Sequence, residues 1–72
     1  MSSNTITNNI RRLRFENDEM TQQTLADHVS VTRQTIISLE AGRYAPSLQL
    51  AFRLANIFNV KIEEIFQSNE EK

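Results

Sequence analysis

Thr21-Gln22-Gln23-Thr24-Leu25-Ala26-Asp27-His28-Val29-Ser30-Val31-Thr32-Arg33-Gln34-Thr35-Ile36-Ile37-Ser38-Leu39-Glu40 is the stretch on which the rest of the chain hangs. Thr21 offers a side-chain oxygen to the unpaired amides of a helix start, and Leu25, Ala26 and Val29 follow at the spacing of one apolar stripe. Ser30 and Val31 interrupt the pattern, and Thr32 caps a second helix running to about Ala41. At 100° per residue that second helix carries Ile36 and Leu39 on one side and Gln34, Ile37, Ser38 and Ala41 on the other. Ala26 falls where the two helices cross, and only a small side chain permits their close approach. Gly42 is the natural left-handed residue to end the second helix.

Working outward, Arg43-Tyr44-Ala45-Pro46 reads as a loop, with Ala45 held out of the helical region by the proline behind it. Ser47 caps a helix over Leu48 to Phe58 that is apolar nearly all round, so it is central or covered by a partner. Asn59 suits a left-handed stop, and a last short helix is expected from about Ile62 to Gln67. Upstream, a first helix is expected from about Thr7 to Asn17, with Ile6, Ile10 and Leu13 on one stripe. Asn17 and Asp18 bond to their own backbone and should end it. Residues 1–5 and 68–72 are expected to be flexible termini flanking a domain at 6–67. With one glycine and one proline in the chain, the punctuation of a β-rich fold is missing. The alternating patterns at Thr5-Ile6-Thr7 and Val60-Lys61-Ile62 are too short for a sheet that covers a core. The fold class is therefore all-α, with five helices.

Seventy-two residues, 39% hydrophobic and 24% charged, make one globular domain and leave no room for a second core. Cysteine is absent, so stability rests on packing, helped by a second subunit, and the cytoplasm is the expected compartment. No apolar run approaches the ~18 residues that span a bilayer, and Met1 to Asn9 lacks the pattern of a signal peptide. The net charge of −1 conceals an asymmetry. Six arginines face five acids through Val60, for +1, and two lysines face four glutamates from Lys61 onward, for −2. A mildly basic body carries an acidic tail, so the average charge permits a local cationic face.

Two short capped helices joined by a three- to four-residue turn have the spacing of a helix-turn-helix, whose second helix enters the DNA major groove while the first lies across the backbone. The chain resembles the Cro/cI-like, XRE-type helix-turn-helix transcription regulators. The resemblance is carried by Leu13-Arg14, Met20 to Ala26, Val31 to Ile36, Leu39 to Leu48, and Ile62-Glu63-Glu64-Ile65-Phe66. It implies a compact five-helix domain of the lambda-repressor type that binds a specific operator, usually as a twofold dimer. This chain departs from that pattern at two places. Ser30 stands at the turn position often occupied by glycine, at a cost of ~1 kcal/mol for a left-handed residue with a side chain. Asn17-Asp18-Glu19-Met20 lacks the glycine common in the preceding link and is one residue longer than in many relatives.

Side-chain chemistry then distributes the roles. Gln34 can pair with adenine N6 and N7, and Arg33 can contact guanine O6 and N7 or fall back to phosphate. Ser38 and Ile37 share that surface; Ile37 meets a thymine methyl, excludes water, or packs against core or partner. Phosphate contacts are expected from Gln22, Thr35, Arg43 and Tyr44, together with the backbone amides at both helix starts, and Thr32 is a further DNA-binding residue. Tyr44 has the alternative of covering the fourth helix. Glu40 sits at a helix C-terminus beside the DNA face, where both the helix dipole and phosphate oppose an acid, so it needs a cation. The resemblance implies that Arg14 supplies it as a structural bridge. One recognition helix reads too few base pairs for specificity, so a homodimer is expected, its surface formed by Phe52, Ile57, Ile62 and Phe66, with Phe15 a further candidate.

Other chemistries find little support. His28 is a lone histidine on a polar face, Glu63 and Glu64 point in different directions, and no phosphate loop, nucleophile elbow or metal motif occurs. Neither catalysis nor a cofactor nor a metal is expected. The alternative reading is a protein-interaction module on the same scaffold, such as an antitoxin, motivated by the low net charge and the apolar residues just named. Repression by blocking polymerase is the simpler mechanism, and activation stays open.

Overall fold

A computed structural model of the chain describes residues 6–43 and 45–68. The element order is β1 (Ile6–Asn8), α1 (Ile10–Glu16), α2 (Gln22–Val29), α3 (Arg33–Glu40), α4 (Leu48–Phe58), α5 (Ile62–Ile65) and β2 (Phe66–Ser68). Five helices make the body, as their patterns require, and three of them start on side-chain caps. Thr21, Thr32 and Ser47 accept hydrogen bonds from the backbone amides of Thr24, Thr35 and Leu50 at 3.0, 3.2 and 3.1 Å. Each cap satisfies one of the donors that a helix start leaves unpaired.

The ends of α2, α3 and α4 are equally local. Ser30, Gly42 and Asn59 take positive φ of 64°, 74° and 59°. That geometry turns the following amides back onto the last helical turn, with Val31 N–H to Ala26 C=O, Arg43 N–H to Ser38 C=O and Val60 N–H to Ala55 C=O, all at 3.0 Å. The last carbonyls are thereby satisfied. The link after α1 closes differently. Asp18 and Glu19 both stand in the left-handed region, at φ 60° and 54°, and make a tight reversal that delivers Met20 N–H to Arg14 C=O at 2.9 Å.

Ile10, Leu25, Ile36, Leu39, Leu54 and Ile65 are fully buried and draw all five helices around one core. Burying each such side chain contributes roughly 1.5–3 kcal/mol.

The two ends of the domain differ from their sequence reading. Ile6 and Thr7 belong to a strand rather than to the stripe and start of the first helix, Phe66 and Gln67 leave helical geometry, and Ser68 is part of β2 rather than of the tail. β1 and β2 pair antiparallel with Ile6 opposite Ser68, Thr7 opposite Gln67 and Asn8 opposite Phe66. The cause lies in two asparagines. Asn8 Oδ1 accepts the Ile10 amide at 3.1 Å, which starts α1 later than its apolar spacing suggests. Asn9 donates its backbone N–H to Ile65 C=O at 2.8 Å and its Nδ2 to Glu64 C=O at 3.1 Å. These donors satisfy carbonyls at the end of α5 and stop it two residues early. Among the described residues, no helix is long and apolar enough to cross a membrane.

Candidate nucleic-acid interface

The interface candidate is built on α2 and α3. Ile36 and Leu39 fix α3 from beneath, and the left-handed turn at Ser30 sets the angle between the two helices. On the opposite side of α3, Arg33 and Gln34 are exposed, while Thr35, Ile37 and Ser38 are half-buried. Neither Arg33 nor Arg43 forms a salt bridge among the described residues. Both side chains are exposed, with no ion-pair partner among the described residues.

Thr32 and Thr35 form a hydroxyl pair at the start of α3, with Oγ1 to Oγ1 at 3.0 Å. The Thr32 oxygen also accepts the Thr35 amide. One of the two O–H groups is spent between the hydroxyls; the other, with the unpaired backbone amides of the helix start, is what can donate to a phosphate. Tyr44 lies outside the described residues.

Behind this face is a polar network. Arg14 reaches from α1 to the end of α3, where Nε meets Glu40 Oε2 at 2.6 Å and Nη2 meets Oε1 at 3.1 Å. Arg14 Nη1 also donates to Met20 C=O at 2.9 Å, which ties the reversal after α1 into the same cluster. The pair is largely withdrawn from solvent, with side chains 14% and 11% exposed, so removing either partner would leave the other charge uncompensated away from water. Gln22 joins it, its Nε2 donating to Glu40 Oε1 at 3.2 Å. Sequence reading assigned Gln22 a phosphate contact only; the structure gives its amide an intramolecular partner, leaving one N–H and the carbonyl oxygen for any further contact.

Sequence reading also missed Asn8. Its Nδ2 donates to Leu39 C=O at 2.8 Å, across 31 positions of chain. The signal available was the Asn8-Asn9 doublet ahead of an apolar helix, which reads as a cap but does not reveal a remote partner.

The four residues assigned to a subunit contact divide. Phe52 and Ile62 border one open groove of about 640 Å³, with Val60 between them and Lys61 and Glu63 at its side. Ile57, Ile62 and Phe66 are all half-buried against the core; of these, Ile57 and Phe66 do not line that groove. Leu48 was not singled out, yet with Phe52 it is among the most exposed large apolar side chains, at 70% and 53%. They lie one helical turn apart on α4. Phe15 is exposed on α1.

The family model described as Helix-turn-helix matches residues 10–65, from the first residue of α1 to the last of α5. The chain belongs to the helix-turn-helix family of transcriptional regulators, in its XRE-type branch. Relatives of this regulator include an uncharacterized HTH-type transcriptional regulator of Archaeoglobus fulgidus, 55% identical over 53 residues, which make up 74% of this chain and 75% of the relative. One from Methanocaldococcus jannaschii is 57% identical over 47 residues, covering 65% and 71% of the two chains. The cryptic phage CTXphi transcriptional repressor RstR of Vibrio cholerae is 33% identical over 61 residues, covering 85% of this chain and 54% of RstR. A crystal structure of a candidate DNA-binding protein from Bacteroides fragilis superimposes with a TM-score of 0.75 at 22% identity, covering 86% of this chain and 98% of that one. That likeness shows the fold. The helix-turn-helix regulator is not an enzyme.

Proposed function

We propose that the protein represses transcription in the cytoplasm by binding a palindromic operator as a homodimer, with α3 in the major groove. The observation that carries the reading is the solvent-facing ridge of Arg33 and Gln34 on a short helix held rigidly from behind. In it Gln34 pairs with adenine, Arg33 with guanine or phosphate, and Ser38 and Ile37 complete the base-facing surface. Gln22, Thr32, Thr35, Arg43 and Tyr44 hold phosphates and set the register. The similarity to RstR, a repressor by name, supports repression over activation.

Dimerisation follows from the need for two half-sites about 34 Å apart. Phe52 and Ile62, bordering one groove, support its assignment to the face shared by α4 and α5, and exposed Leu48 extends that face. Lys61 and Glu63 give the groove opposite charges, which a twofold axis can bring into register.

A salt titration with a random duplex tests the reading. Binding through phosphates weakens steeply and linearly on logarithmic axes, because each neutralised phosphate releases counterions. Failure to bind any duplex at low salt overturns it in favour of a protein-interaction module, whose apolar contacts would scarcely respond to salt.

A further inference from the structure

We propose that Asn8 is a positioning residue for DNA reading, fixing the C-terminal end of α3 against the strand pair so that Ser38 and Arg43 are presented at a constant pitch. This inference rests on the DNA-binding reading above. The amide of Asn8 is used at both ends. Its oxygen accepts the Ile10 amide at 3.1 Å, and its nitrogen donates to Leu39 C=O at 2.8 Å.

Leu39 C=O belongs to the last turn of α3 and takes the Gly42 amide at 3.0 Å; Asn8 supplies its second donor, from outside the helix. The same turn carries Ser38, whose carbonyl takes the Arg43 amide at 3.0 Å. Asn8 therefore grips the segment from which both a base-facing and a phosphate-facing side chain project. Gln67 of β2 turns elsewhere, its Nε2 donating to Glu63 C=O at 3.0 Å. Asn8 also stands opposite Phe66 in the strand register, directly after α5, whose Ile62 borders the apolar groove. A single side chain thus links the element proposed to face a second subunit with the end of the recognition helix.

The two functions of this amide can be separated chemically. Asn8→Asp keeps an oxygen for the Ile10 amide, and the α1 N-terminus favours its charge, but it replaces the donor to Leu39 with an acceptor. Asn8→Ser keeps a neutral acceptor near Ile10 while its hydroxyl is too short to span to Leu39. The test measures the affinity of wild type and both variants for a duplex recovered from a random pool and for a scrambled duplex of equal composition. Amide exchange at Gly42 and Arg43 is followed in parallel.

Both variants are expected to remain helical, to exchange faster at Gly42 and Arg43, and to lose about 3- to 10-fold in the ratio of recovered to scrambled affinity. Asn8→Ser should stay within about twofold of wild type on the scrambled duplex. An unchanged ratio in both variants, an equal fall on both duplexes, or loss of the folded domain in both overturns the positioning role. A wild type that binds neither duplex overturns the DNA reading itself and this inference with it, so the two failures are distinguishable.

Discussion

The guanidinium of Arg14 and the carboxylate of Glu40 meet as a fork across 26 positions of chain, with contacts of 2.6 and 3.1 Å. The pair stands at the one place where α3 would otherwise end on an uncompensated acid. The C-terminal dipole of α3 opposes that charge, and any phosphate nearby adds to the opposition, so the bridge is what makes an acid tolerable there. It also locks the back of the recognition helix to α1 and to the reversal at Met20.

Arg14→Ala leaves the Glu40 carboxylate withdrawn from water with only the Gln22 amide beside it, and should destabilise the domain by about 2–4 kcal/mol. In a chain of this size that corresponds to a fall in Tm of about 10–20 °C. Glu40→Ala should behave similarly while changing the order of base preferences little. Thermal unfolding followed by circular dichroism checks both, and an unchanged Tm in either variant would remove the bridge from the stability account.

Gln34→Ala and Arg43→Ala separate reading from anchoring. The first should relax preference at one operator position by about 1–3 kcal/mol, and the second should weaken every duplex alike and reduce the salt slope by about 1. Binding to a panel of single-base operator variants measures both. If the two substitutions alter every sequence equally, the division of labour between them is wrong.

Ser30→Gly should raise stability by about 0.5 kcal/mol. Relief of a left-handed residue at φ 64° outweighs the extra freedom that glycine gives the unfolded chain. Ser30→Val should lower stability by more than ~1 kcal/mol, because a β-branched side chain tolerates that conformation least. Urea midpoints for the three chains decide the sign, and a stable valine variant would show that the turn can relax out of the left-handed region.

Phe52→Glu places a charge on a side chain that is 53% exposed in the single chain, so the fold should survive while subunit association is lost. Sedimentation equilibrium should find a dimer for wild type and a monomer for the variant, with helical content unchanged. A dimeric variant would move the interface away from the Phe52 and Ile62 groove.

The helices were legible wherever their signals were local. Thr21, Thr32 and Ser47 cap the residues three positions on, and Ser30, Gly42 and Asn59 turn the chain at the very next residues, so neighbours in sequence carried the information. The exposed side of α3 was legible for the same reason, since a 100° rotation per residue separates Gln34 from Ile36. What escaped was written in remote pairs. The strand at Ile6 exists because Ser68 stands opposite it, and α5 stops early because Asn9 reaches Glu64 from 55 positions away. Gln22 presented a further limit: an amide that can hold a phosphate can equally hold a carboxylate, and only the arrival of Glu40 beside it selects between them. Phe52, Ile57, Ile62 and Phe66 looked equivalent as apolar residues, and which of them border the groove depends on how α5 packs on α4.

Selection of bound duplexes from a random pool by the unaltered chain tests the central claim most directly. The account predicts enriched sequences built of two inverted half-sites whose centres lie about 10 base pairs apart, one for each copy of α3. A pool that stays random after repeated rounds, or one that converges on a solitary half-site, would contradict it.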